Sequence, residues 1–303
     1  MKYAVVIAII VSVGMLSPTT GSAQHQNGQP PAVHLSATTV TNGDVLLLEI
    51  NTGILRPSIT GMHIKFSGRT YDIFDHPAKD EGFYCALIGM PYRTKPGPAV
   101  VKLQWSEKGA SYAEQIPLKV IAGAYKTDVL KVDSRRVNPN QKDRERARRE
   151  HQELNHIYAS GGKARLWNGL FQLPVDKEIT SPFGNKRVFN GQLKSYHNGV
   201  DFRAAIGTPA FAANSGLVRM AKNLFYSGNV AIIDHGTGIF TIYAHLDKLK
   251  VTAGQRIEKG QLIGLTGATG RVSGPHLHWG VKITGTAVNP IQFIDVVSTL
   301  IRK

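Results

Sequence analysis

From Val33 to Val120 the apolar residues come in short runs divided by glycine, proline and asparagine, the signature of strands and turns. The runs are Val45 to Ile50, Met62 to Phe66, Phe83 to Ile88, Val100 to Trp105 and Ile116 to Ile121. Their spacing predicts a small antiparallel β-sandwich over residues 32–122, Ig-like in broad shape. Between Val137 and Ser160 the β pattern stops. Asn138-Pro139 offers a cap and a first-turn proline, and Gln141 to Glu150 is dense in arginine and glutamate. This predicts a solvated, charged helix in a linker over 123–165, its interleaved charges forming a surface ion-pair lattice. After Gly161-Gly162 strands return, with Gly216 to Ala221, Asn229 to Asp234 and Ile239 to His245 the clearest. Glycines 254, 260, 264 and 267 suit tight turns, whereas Asn185 to Ser195 reads as polar and mobile. Residues 166–303 are therefore expected to form a second, twisted antiparallel β domain, making the chain mainly β.

The N-terminus adds a location. Met1-Lys2, the apolar run Tyr3 to Leu16 and the small residues Gly21-Ser22-Ala23 predict a secretory signal peptide over 1–23. Its apolar core is short for a membrane span, although an uncleaved anchor is the competing reading. No cysteine follows the run, which excludes lipoprotein attachment at that point. Length favours two domains, and 42% hydrophobic with 19% charged residues is ordinary globular composition. The formal charge of +15 and pI near 9.9 favour a polyanionic partner. Export argues against nucleic acid and leaves an anionic wall or transient membrane association. Cys85 has no partner for an internal disulfide and reads as a small buried residue. His34, His63 and His76 lack metal spacing and read as structural or surface histidines.

The chemistry concentrates in Gly274-Pro275-His276-Leu277-His278-Trp279-Gly280. On a strand, alternation places His276 and His278 on one face and Leu277 on the other. Two imidazoles on one face make half a zinc site. His197 and Asp201 supply an imidazole and a carboxylate. Four extended residues would separate their Cα atoms by ~13 Å, and Asn198-Gly199 is a turn pair able to close that gap. Three of these four residues are expected to bind one zinc ion. His245, ending a strand, is a further polar candidate. His235 reads as a solvated turn residue, and His151 and His156 lie about 140° apart on a helix, too far round to share a metal.

His197-x-x-x-Asp201, Tyr243-Ala244-His245-Leu246 and Gly274-Pro275-His276-Leu277-His278 together resemble the M23 family of zinc metallopeptidases, the lysostaphin/LytM-like peptidoglycan hydrolases. Ser181-Pro182-Phe183-Gly184, Gly207-Thr208-Pro209-Ala210 and Gly264-Leu265-Thr266-Gly267 extend the likeness, which covers about Ile179 to Pro290. The β domain and helix before it look, more weakly, like an appendage of some Gram-negative members. The resemblance implies a LytM-like antiparallel β peptidase domain with His197, Asp201 and His278 as zinc ligands, and His245 and His276 as non-ligand catalytic histidines. No His-Glu-x-x-His is present, so a histidine must serve as base. The implied substrate is the peptide part of peptidoglycan in the periplasm, at the bond between D-alanine and diaminopimelate. Competing readings are an inactive LytM-type regulator of other wall hydrolases and, from the Gly-rich stretch Val251 to Gly267, a biotinyl or lipoyl carrier. A cleft covered by the N-terminal domain or by 185–195 is a further expectation.

Overall fold

The computed structural model describes residues 31–53 and 59–301. The signal-peptide reading of residues 1–23 lies outside them. Nine strands come first: β1 (Ala32–Leu35), β2 (Thr39–Thr41), β3 (Val45–Asn51), β4 (Ile59–Phe66), β5 (Arg69–Tyr71), β6 (Phe74–Asp75), β7 (Phe83–Gly89), β8 (Gly97–Glu107) and β9 (Ala110–Ile121). They form two sheets, ordered β1-β3-β7-β6 and β2-β9-β8-β4-β5. In β8 and β9 alternate residues are buried (Val101, Leu103 and Trp105; Ile116, Leu118 and Val120), as one-sided burial requires. The continuous apolar run of β3 instead signals two covered faces. Besides its sheet partners it meets the C-terminal helix, where Gln292 receives the Val45 N–H at 2.7 Å. Glu49 of β3 gathers His34, His76 and Lys79, so two of the early histidines are structural, and Cys85 is wholly buried.

Next come β10 (Thr127–Leu130) and α1 (Gln141–Ala159). The helix begins two residues later than the sequence suggested. Asn140, not Asn138, is the cap, its side chain accepting the Asp143 N–H at 2.9 Å. Nor is α1 wholly solvated. Ile157 and Tyr158 pack among Met220, Leu224, Val230 and Phe240, and Glu153 and Arg146 reach across to Lys222 and Asn223. Its charges serve docking as much as a lattice along the helix.

The remainder comprises β11 (Ile179–Ser181), β12 (Lys186–Phe189), β13 (Gln192–Tyr196), β14 (Val200–Arg203), β15 (Pro209–Phe211), β16 (Gly216–Leu224), β17 (Gly228–Asp234), β18 (Ile239–Leu249), β19 (Arg256–Ile257), β20 (Leu262–Thr266), β21 (His276–Ile283), β22 (Thr286–Val288) and α2 (Pro290–Ile301). The main sheet runs β11-β14-β21-β18-β17-β16-β19, with β15, β20 and β22 attached, all antiparallel. The stretch read as mobile is an ordered hairpin. β12 and β13 pair around Asn190-Gly191, both at positive φ, and β10 joins β12 in parallel. α2 was not foreseen; Phe293, Val297 and Leu300 recur on its buried face. Leu277, Trp279, Val281 and Ile283 are fully buried under β21, each contributing roughly 1.5–3 kcal/mol. That buried face holds the opposite one in place. Among the described residues no helix is long and apolar enough to cross a membrane.

Candidate metal centre

β14 and β21 are neighbours in the sheet with Asp201 opposite His278 and Arg203 opposite His276. His197 arrives from the end of β13 through the bend at Gly199. A Cβ on Gly199 would stand 2.4 Å from the Trp279 carbonyl oxygen and 2.7 Å from His278 Cε1, so only glycine lets the segment lie this close. The fold thus closes the gap between His197 and Asp201: His197 Nε2 lies 2.9 Å from Asp201 Oδ1 and 3.0 Å from His278 Nδ1. His278 Nδ1 is 2.8 Å from the same oxygen.

Each ring has a fixed orientation. His197 Nδ1 lies 2.8 Å from the Pro182 carbonyl, which accepts its proton and leaves a lone pair on Nε2. His245 Nδ1 and His276 Nδ1 likewise face the carbonyls of Thr269 and Gly274, both at 2.8 Å. Their Nε2 atoms are therefore the free ones, that of His276 lying 3.7 Å from Asp201 Oδ1. The His245 and His276 rings are 4.9 Å apart between centroids. His245 has φ +62° at a break in the β17–β18 register, a left-handed conformation that turns its side chain out of the strand's alternation.

Three electron-pair donors, His197 Nε2, His278 Nδ1 and Asp201 Oδ1, lie within 4.8 Å of one another. With the proton of His197 spent on Pro182, such a set suits a cation. The second oxygen, Oδ2, accepts from Arg187 Nη2 at 2.7 Å, which fixes the carboxylate plane. Asp128 of β10 lies 3.6 Å from Arg187 Nε and accepts from Ser181 and Asn185. Neither Arg187 nor Asp128 stood out in the sequence, where each is one charge among many.

Comparison with known proteins fits this geometry. Residues 195–290 match the model of peptidase family M23. The chain carries an M23 peptidase domain. It is 43% identical over 130 residues to the peptidoglycan DD-endopeptidase ShyA of Vibrio cholerae, covering 42% of this chain and 30% of ShyA. With ShyB of the same organism, also a peptidoglycan DD-endopeptidase, identity is 41% over 145 residues, covering 46% and 34%. The chain thus spans about a third of the length of these curated relatives. A crystal structure of a peptidase M23 from Pseudomonas aeruginosa superposes with TM-score 0.63 at 27% identity, covering 82% of this chain and 92% of that one.

Two of the cavities beside the donor cluster of the M23 domain are lined in part by Arg271. One, about 510 Å³, is lined by Asp128, Arg187, Asp201, Arg271 and His276; the other, about 180 Å³, by His197, Tyr226, His245, Arg271 and His278. Burial would raise the Asp201 carboxyl, but His197 and His278 outweigh it and hold it well below the usual carboxylate range. Burial lowers His278 to about 4 and, with His276 and His278 nearby, holds His245 well below the ordinary histidine range. Both imidazoles are therefore neutral at pH 7, one suited to ligation and the other to accepting a proton. His235 is a correction. It is wholly buried, its ring nitrogens 2.7 Å from the Ser215 carbonyl and 2.8 Å from Thr241 Oγ1, because residues 164–166 fold over its turn. His151 and His156 are exposed on α1 and are not among the converging donors, although His151 lines a cavity of about 190 Å³ that His278 also lines.

Proposed function

We propose that this is a zinc-dependent endopeptidase hydrolysing peptide cross-links of peptidoglycan, at the bond between D-alanine and meso-diaminopimelate, in an exported protein acting in the periplasm. The observation that carries the reading is the convergence of His197 Nε2, His278 Nδ1 and Asp201 Oδ1, with the imidazoles of His245 and His276 beside them. Two imidazole nitrogens and a carboxylate oxygen are a three-ligand set of the kind that leaves catalytic zinc an open position. The ShyA and ShyB likeness supports the substrate class. When bound, zinc supplies Lewis acidity toward the scissile carbonyl and lowers the pKa of a water.

The protein's own groups do the rest. His197, Asp201 and His278 hold the ion, and Arg187 keeps Asp201 turned toward it. Of His245 and His276, each with Nδ1 held by a backbone carbonyl, one accepts the water proton on its free Nε2, and the other, when its Nε2 is protonated, donates a hydrogen bond to the developing oxyanion. Net positive charge favours adsorption to the anionic wall. We place the N-terminal β-sandwich at 32–122, the linker at 123–165 and the peptidase domain at 166–303, with β10 structurally part of the last.

The test is incubation of purified protein with Gram-negative sacculi and zinc, with and without chelator, followed by mass analysis of released muropeptides. Cleaved cross-links in the presence of zinc, and none from Asp201→Ala, are expected. No fragments under any condition would overturn the reading and favour a non-enzymatic regulator.

A further inference from the structure

Arg271 lies in the loop before β21, half-buried, with its guanidinium carbon 4.3 Å from the Phe189 ring centre and 4.5 Å from that of Tyr226. The Tyr226 carbonyl accepts its backbone N–H at 2.8 Å. Two rings and a backbone bond fix the plane of this side chain. Among the described residues, however, no carboxylate pairs with it. Asp201 is taken by Arg187, and Asp128 is committed to Ser181, Asn185 and Arg187. A partly desolvated cation that lacks a counter-charge is costly, and a guanidinium has five N–H donors to satisfy. Stacking on rings occupies its faces and leaves its edge free for the fork geometry that carboxylates match. Arg271 also lines two of the cavities beside the donor cluster. A peptide laid through either of these cavities passes it.

We propose that Arg271 binds a free carboxylate of the substrate peptide beside the scissile bond. The inference rests on the peptidase function proposed above and names the feature by which the substrate is chosen. In a cross-link whose amide nitrogen comes from the D-centre of diaminopimelate, the carbon carrying that nitrogen keeps its own carboxylate. The negative charge therefore sits one carbon from the nitrogen that leaves. Interior bonds of an oligoglycine bridge have no such group. Arg187, by contrast, already has a counter-charge, its Nη2 donating to Asp201 Oδ2 at 2.7 Å.

Two soluble cross-linked muropeptide dimers provide the test, one with the diaminopimelate carboxylate free and one with it amidated. The parent protein is expected to show kcat/KM at least about tenfold higher on the free acid, the effect of one charge-assisted pair. Arg271→Gln should lose that advantage, falling about tenfold or more on the free acid and far less on the amide. Arg271→Lys should retain part of it. Equal loss on both dimers would mean that Arg271 is only structural, and equal cleavage of both by the parent would overturn the proposal outright. If neither dimer is cut, the peptidase reading fails first. Calorimetric binding of the two dimers then decides this one, tighter binding of the free acid supporting it and equal affinity refuting it.

Discussion

Gly199→Ala adds one methyl group at the point where three chain segments meet. The new carbon would lie 2.4 Å from the Trp279 carbonyl oxygen, 2.7 Å from His278 Cε1 and 2.8 Å from His278 Nε2. The first contact must open by roughly 1 Å to reach an ordinary van der Waals distance. β21 cannot recede, because β14 and β18 hold it on both sides and Trp279 is fully buried beneath it. The movement must therefore come from the bend at 198–200 or from the His278 ring. Either displaces a proposed ligand, since His197 and Asp201 lie two residues to each side of Gly199. Overpacking of this kind costs about 1–3 kcal/mol of stability, and a displacement near 1 Å at a reacting centre costs on the order of 10²-fold in rate. The variant should fold, melt a few degrees lower, bind zinc at least about tenfold more weakly in competition with a chromogenic chelator, and cut sacculi about 10²-fold more slowly. Zinc affinity and cleavage within threefold of the parent would refute the claim that close approach at residue 199 sets the site.

Other expectations follow from the same geometry. Chelation should abolish hydrolysis and added zinc restore it, while His245→Ala or His276→Ala should lower kcat by on the order of 10²-fold or more with zinc affinity nearly unchanged. Matched loss of affinity in either variant would make that histidine a ligand instead. Arg187→Met should weaken zinc binding by about 10–100-fold, as loss of a partner orienting a ligand does, and Arg187→Lys should recover part of it; direct zinc titration reads this without activity. Burial lowers His235 to about 4 from 6.5, so the unfolded chain takes up its proton before the folded one does. Stability from this group is complete above pH 6.5 and is lost as pH falls toward 4, by up to about 3 kcal/mol. Urea unfolding across pH 4–7 should show a shallower acid slope in His235→Gln, and an unchanged slope would refute that contribution.

The parts of the site that could be read from the sequence are those encoded locally. His276 and His278 share a face because strands alternate, and His197 with Asp201 carries its turn between them. What escaped depends on pairing between distant segments. Asp128 faces Arg187 only because β10 pairs with β12 at that register, 59 residues apart in the chain. His235 looked solvated because it sits in a glycine-rich turn, yet burial of a turn is decided by what folds over it. The helix cap shows the opposite failure. Asn138-Pro139 resembled a helix start, but the cap that forms is Asn140, whereas Asn289-Pro290, equally visible, does open α2. The hairpin signal Asn190-Gly191 was likewise present and unread.

The pairing of β10 with β12 also changes how the expected covering of the cleft must be tested. A truncated chain beginning near Gly161 would remove the N-terminal sheets, but it would remove Asp128 as well. With Asp128 go its hydrogen bonds from Ser181 and Asn185 and its contact with Arg187. Arg187 would then hold Asp201 less firmly, so release of a cover and loosening of a ligand would act in opposite directions on one rate. Asp128→Ala in the full chain separates them. It is expected to weaken zinc binding severalfold while leaving the N-terminal sheets and α1 in place, so the loss of Asp128 is read apart from the loss of the cover. If Asp128→Ala binds zinc as the parent does, Asp128 does not support Asp201, and the truncated chain then differs from the parent in its cover and in the loss of α1, whose Ile157 and Tyr158 pack on the sheet.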